Sequence, residues 1–211
     1  MKSENYYQII KKNKLYVVLI ACVFMALFLI RDLASPFEYK ASALILVINK
    51  EQLSNLEKSV KSSQNLAYAI ADIIKTPIFL KSILNNNQDL KNDFSSDETE
   101  KIKQWRKKLF LQVIPDSSLL KINVYDSDAN KAEIYVKSMI EEIIPMAKGF
   151  YGENLNFSLT LVEKPLVSKK TVRPNLLLDV LITPIIGTMI GFILVILFYK
   201  VKKKHLASNH R

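Results

Sequence analysis

The chain has 211 residues and a formal net charge of +10; 49% of its residues are hydrophobic and 24% are charged. This length suits one domain with additional anchoring sequence. The only cysteine, Cys22, excludes an intrachain disulfide, and the only histidines, His205 and His210, stand near the C-terminus. These residues predict no disulfide framework and no histidine-based catalytic centre or metal site, and we expect no cofactor.

Most of the hydrophobicity lies in two blocks, Leu15 to Ile30 and Val180 to Tyr199. A helix of about 20 apolar residues spans the hydrocarbon core of a bilayer. We therefore predict membrane helices at residues 15–30 and 176–199. A cleaved signal peptide is the alternative for the first block. The charged pair Arg31-Asp32 follows directly and no A-x-A site precedes Pro36, which favours an uncleaved anchor.

The charges predict the orientation of these helices. Four lysines and one glutamate precede the first block, while four lysines and one arginine follow the second, so eight of the ten excess positive charges lie in two short flanks. The positive-inside rule then places residues 1–14 and the basic tail 200–211 in the cytoplasm, and residues 31–175 outside it. The positive charge indicates contact with membrane lipids rather than nucleic acid.

The segment between the two blocks alternates strand and helix patterns. Alternating and then continuous apolar residues predict a strand at Phe37–Ile48, and Thr76-Pro77 has the pattern of a helix N-cap. Pro115 to Ser118 predict a hairpin turn, and Gly149 and Gly152 are expected to end the last helix of this segment. The other predicted elements are helices from Ser54 to Ile74, from Thr76 to Leu84, from about Ser96 and from about Ala129 to Lys148, and strands at Lys108–Ile114, Leu119–Asp126 and Asn156–Val162.

The order β-α-β-β-α-β predicts an α+β fold. We expect a four-stranded mixed or antiparallel sheet with helices on one face, flanked by the two membrane helices. Beyond Val162, the residues from Pro165 to Pro174 are interpreted as an extended, proline-bounded linker.

The sequence contains no set of residues typical of an enzyme. A G-x-x-x-x-G-K-[ST] nucleotide loop is missing. Asp126-Ser127-Asp128 resembles the start of a calcium loop but lacks its glycine and closing glutamate, so a turn and helix cap is the better interpretation. Trp105, the single tryptophan, is interpreted as a surface residue and a candidate contact between protomers. We predict a non-enzyme.

Several motifs together resemble the Wzz-type chain-length determinants, the polysaccharide co-polymerases of bacterial O-antigen, capsule and exopolysaccharide assembly. They are Phe37-Glu-Tyr-Lys-Ala-Ser-Ala43 after the first apolar block, Ile114-Pro-Asp-Ser-Ser118 in the hairpin, Val162-Glu-Lys-Pro165, Arg173-Pro-Asn175, and Gly187-Thr-Met-Ile-Gly191 in the last helix. The long helical arm of larger members is reduced here to about 60 residues, so the chain resembles a short member with only the base domain.

The resemblance implies a function and partners. Members are non-catalytic, form rings in the bacterial cytoplasmic (inner) membrane, and act with a membrane polymerase that extends a lipid-linked glycan. The expected partners are thus further copies of the chain, the polymerase and the growing lipid-linked glycan. An alternative from capsule-type relatives is an adaptor for a cytoplasmic tyrosine autokinase. A ligand sensor is disfavoured because no output domain follows the second membrane helix.

The last helix carries the candidate assembly residues. Gly187 and Gly191 lie one turn apart and predict close packing against the first membrane helix or against a neighbouring protomer. Pro184 is expected to kink the helix because it cannot donate a backbone hydrogen bond.

Overall fold

The structure is a computed structural model and describes residues 6–50, 56–151 and 157–208. The chain divides into two compact units: the helix pair, residues 1–36 and 173–211, and the α/β domain, residues 37–172. The helix pair contains α1 (Tyr6–Lys12), α2 (Lys14–Ala34) and α7 (Leu176–Ser208).

The α/β domain contains four strands and four α-helices in its described part. In chain order they are β1 (Tyr39–Asn49), α3 (Leu56–Ile74), α4 (Pro77–Asn86), a 3-10 helix (Gln88–Asp93), α5 (Glu98–Lys108), β2 (Leu109–Val113), β3 (Leu119–Asp126), α6 (Ala129–Tyr151) and β4 (Phe157–Val167). The strands form one sheet in the order β2-β3-β1-β4, and every neighbouring pair is antiparallel. The predicted α+β class and four-stranded sheet are confirmed.

The central strand β1 contributes one face to the core. Ala41, Ala43, Ile45 and Val47 are buried and alternate with half-buried residues, as the two-residue period of a strand requires. On β3, the buried residues Val124, Ile122 and Leu120 are the register partners of Ala41, Ala43 and Ile45. Helices α3 and α6 pack against this part of the sheet and complete the core.

Local signals position several helix ends. The hydroxyl of Thr76 accepts the N–H of Phe79 at 3.3 Å, and the Asp97 carboxylate accepts the N–H of Glu100 at 2.8 Å. Both are N-caps, which satisfy backbone donors that the first helical turn leaves unpaired. In the hairpin, Asp116 has a φ of 52°, a conformation that aspartate tolerates better than most residues.

Two predicted boundaries are wrong. Helix α6 runs through Gly149 to Tyr151, since glycine weakens a helix without forbidding it; Gly152 lies outside the described residues. Strand β4 continues to Val167, so Pro165 lies inside a strand rather than in a linker.

The position of β4 explains why the sheet tolerates this proline. β4 is an edge strand, and its register on β1 shifts between Ser42 and Leu44. Proline fits edge strands and bulges because no ladder hydrogen bond is needed from its nitrogen.

Candidate helix-packing site and the polar cluster of the α/β domain

The helix pair exposes most of its apolar side chains. Among the residues that the structure describes, two helical stretches are long and apolar enough to cross a membrane, Lys14–Ala34 and Leu176–Val201. Leu15 is 72% exposed and Leu177 is 78% exposed. A core helix of a soluble protein would bury such side chains, so their exposure is compatible with lipid contact on the outer faces of the pair.

Gly187 and Gly191 lie where α7 approaches α2 of the same chain. A Cβ atom at position 187 would lie 2.9 Å from the Cα of Ala21, and one at position 191 would lie 3.1 Å from Cγ1 of Val17. Val17 is buried, as is Val195 one turn beyond Gly191. The absence of a side chain at both glycines therefore permits backbone contact between the helices. Of the two packing partners that the sequence left open, the structure places the chain's own first apolar helix at these positions.

Pro184 lies in the continuous helix α7, one turn before Gly187. Its nitrogen cannot donate to the carbonyl of Val180. The hydroxyls of Thr183 and Thr188 donate to the carbonyl oxygens of Asp179 and Pro184 at 2.5 and 2.6 Å. Such back-bonding satisfies the hydroxyls within the helix itself. The kink at Pro184 stays a prediction.

Asp32, the acid of the charged pair that follows the first apolar block, is buried, which the sequence did not predict. It lies near the end of α2, is 1% exposed, and its Oδ1 lies 3.7 Å from Nε of Arg31. Its Oδ2 is buried and has no hydrogen-bond partner among the residues that the structure describes. A buried carboxylate without full pairing carries a desolvation cost. The only sequence signal for it was the charge placed directly after an apolar block.

Pro174 comes two residues before α7 and follows a cis peptide bond after Arg173. Between Pro174 and the helix, Asn175 caps the helix: its side-chain oxygen accepts the N–H of Leu178 at 3.3 Å, and its carbonyl oxygen accepts the N–H of Asp179 at 3.0 Å. Of the two predicted linker prolines, only Pro174 stands outside the regular elements.

Trp105 is completely buried in the α/β domain. Its indole N–H donates to the carbonyl of Ile74 at 2.8 Å, and its ring centroid lies 6.4 Å from that of Phe94 and 5.9 Å from that of Tyr135. A side chain without exposed area cannot contact another protomer. The interpretation of Trp105 as a surface contact is therefore wrong; it joins α3, α5 and α6 within one chain.

Two ion pairs surround this aromatic group. Lys108 forms a hydrogen-bonded ion pair with Asp126, and its ammonium lies 5.4 Å from the ring centroid of Tyr135. Lys131 pairs in the same way with Asp93, whose second oxygen accepts the Tyr135 hydroxyl at 3.1 Å. We call these five side chains the polar cluster. The side chains of this cluster pair with one another through ion pairs and hydrogen bonds, which is typical of a structural network.

Electrostatics in the polar cluster favour the protonated forms. The hydrogen bond to Asp93 raises the pKa of Lys131, against a smaller opposing effect of burial. Burial raises the pKa of the Tyr135 phenol, and the negative charge of Asp93 raises that pKa further. Both groups therefore keep their protons at neutral pH, and neither is prepared to act as a base.

Within residues 6–50, 56–151 and 157–208, no group of three or more His, Cys, Asp and Glu side chains could hold a metal ion.

Comparison with known families finds a similarity in the N-terminal part of the chain. The family model Wzz, chain length determinant protein, matches residues 4–87. Residues 4–87 are Wzz-like. The match includes α2, β1 and α3, and it confirms the resemblance over these residues, which contain the motif Phe37 to Ala43. No curated protein matches the chain.

The matched family model describes chain length determinant proteins, and its match is confined to residues 4–87 of the 211. Wzz proteins are non-catalytic regulators of the inner membrane, which fits a non-enzyme, and the two apolar helices α2 and α7 are compatible with that location.

Proposed function

We propose that this protein is an oligomeric scaffold of the bacterial inner membrane that sets the length of a surface polysaccharide, either O-antigen, capsule or exopolysaccharide. The Wzz match over residues 4–87 is the observation that carries the proposal. The proposed partners are further copies of the chain, a membrane polymerase and the growing lipid-linked glycan.

The architecture supports this role physically. A regulator of this kind needs anchors and a rigid domain rather than reactive groups. The helix pair offers two apolar helices in backbone contact at Gly187 and Gly191. The α/β domain offers one continuous core and an internally paired polar cluster. The proposed topology has both termini in the cytoplasm and residues 31–175 outside, because the lysines flank the apolar blocks at the chain ends.

Deletion of the gene tests the proposal. We expect the length distribution of a surface glycan to change while the synthesis of its repeat unit continues, as seen on a glycan gel and by quantifying lipid-linked repeat units. An unchanged glycan ladder accompanied by loss of phosphorylation of a tyrosine kinase would replace the scaffold with the kinase adaptor.

A further inference from the structure

A cleft of the α/β domain has a lining suited to a ligand. It has a volume of about 480 Å³ and runs between α4 and α5, with one side formed by the 3-10 helix and the loop after it. Apolar side chains form its floor, and Leu80 and Leu84 are buried there beside Phe94 and Ile102. A second depression of about 500 Å³ shares Pro77, Glu98 and Ile102 with the first. The two depressions are therefore contiguous, and together they form the cleft.

The rim of the cleft is basic. Lys81, Lys91 and Lys101 line the first depression, against the single acid Glu98. Glu98 is already paired with Lys101 at 2.7 Å. Lys81 and Lys91 are exposed, and their side chains form no ion pair or hydrogen bond with any residue that the structure describes. Two ammonium groups are thus available to an anionic ligand.

Uncharged polar groups accompany these lysines. The side chains of Asn85, Ser95 and Ser96 line the same depression. The Ser95 hydroxyl accepts the N–H of Asp97 at 3.2 Å and keeps its own proton to donate. Amide, hydroxyl and ammonium groups above an apolar floor match a ligand that combines many hydroxyls, apolar ring faces and carboxylates. Acidic sugars have this combination.

We propose that the cleft between α4 and α5 binds acidic sugar residues of the glycan. The inference rests on the proposed function, which supplies a glycan, and adds the class of sugar and the place where it binds. Lys81 and Lys91 pair with the carboxylates, and the polar rim exchanges hydrogen bonds with the hydroxyls. The two contiguous depressions, of about 480 and 500 Å³, accommodate more than one sugar of a chain.

Calorimetric titration of the full chain in detergent micelles tests this. The probe is a galacturonic acid hexamer; maltohexaose is the neutral control and hexaglutamate the acidic peptide control. We expect heat of binding with the galacturonic acid hexamer and none with maltohexaose, with binding of hexaglutamate weaker by at least about tenfold. The double variant Lys81→Gln, Lys91→Gln should bind the hexamer at least about tenfold more weakly, because it loses two charge-assisted hydrogen bonds.

A matched variant controls for net charge. Lys107 and Lys121 are exposed and lie outside the cleft, so Lys107→Gln, Lys121→Gln removes the same charge elsewhere and should change the affinity less than about twofold. Equal weakening by both double variants, equal affinity for hexaglutamate, or no binding of the galacturonic acid hexamer would overturn the proposal. Because the titration contains neither polymerase nor cell, its failure is distinguishable from a failure of the proposed function, which the gene deletion decides.

Discussion

Gly187 and Ala21 lie so close that α7 and α2 touch through their backbones. A Cβ at position 187 would approach the Cα of Ala21 to 2.9 Å, which no rotamer change can relieve. We expect Gly187→Ala to force the helices apart and to destabilise the pair by about 1–3 kcal/mol, the usual range for overpacking. Thermal unfolding in mild detergent, followed by the fraction of full-length protein that stays monodisperse, measures the loss.

Gly149 provides the matched control. It is also helical, but a Cβ at position 149 would meet nothing within 4 Å. Gly149→Ala should leave the protein unchanged or stabilise it by up to about 1 kcal/mol, since alanine is the better helix former. Equal behaviour of the two variants would show that the backbone contact at Gly187 is unimportant.

The polar cluster predicts a loss of stability in alkali. The folded-state pKa values of Lys131 and Tyr135 are both raised. Each group therefore contributes fully to the free energy of unfolding below its unfolded-state pKa of about 10, and this contribution is lost as the pH rises beyond that value. Denaturant unfolding at several pH values, followed by the fluorescence of the buried Trp105, should therefore show the stability of the α/β domain falling above about pH 10.

The variant Tyr135→Phe separates the contribution of Tyr135 to the alkaline loss of stability from that of Lys131. It should cost about 1 kcal/mol at neutral pH by removing the hydrogen bond to Asp93, and it should flatten the alkaline loss. Tyr68 is 49% exposed, so Tyr68→Phe should keep the wild-type pH dependence. If the stability of Tyr135→Phe fell with pH as steeply as that of the wild-type protein, the alkaline loss of stability could not be assigned to Tyr135.

Local and nonlocal features differed in how well the sequence predicted them. The N-cap at Thr76 was predictable because the hydroxyl and the N–H it accepts lie three residues apart. The surface position predicted for Trp105 was wrong because the burial of its side chain depends on Phe94 and Tyr135, which belong to other parts of the fold. The prediction that Pro165 lies in a linker was wrong because the sequence does not show that β4 is an edge strand, where a proline is tolerated. The cleft and the buried Asp32 depend on tertiary packing and had no periodic signal.

Because Asp32 is a buried carboxylate, we expect the removal of its charge to stabilise the helix pair. Asp32→Asn keeps the size of the side chain and removes a buried carboxylate whose Oδ2 has no partner among the described residues, so the helix pair should be stabilised by about 1 kcal/mol or more. Asp179→Asn is the comparison and should lower the stability of the helix pair. Asp179 lies in the first turn of α7, where its negative charge interacts favourably with the positive end of the helix dipole. A less stable Asp32→Asn protein would contradict this prediction and would show that the carboxylate has a stabilising partner.

The proposed topology predicts where the chain can be labelled. In a Cys22→Ser background, single cysteines at the exposed positions Lys107 and Lys12 are tested with a membrane-impermeant maleimide. Position 107 should react in right-side-out vesicles and position 12 only in inverted ones. The reverse pattern would contradict the orientation inferred from the lysine flanks.

Length control itself is the central claim, and graded expression of the intact protein in a deletion strain tests it most directly. The length distribution of the surface glycan is measured on a gel at each expression level. We predict that a preferred length emerges as the protein level rises, while the amount of lipid-linked repeat unit stays constant. A distribution that is the same at every expression level, from none to the highest, would contradict the account.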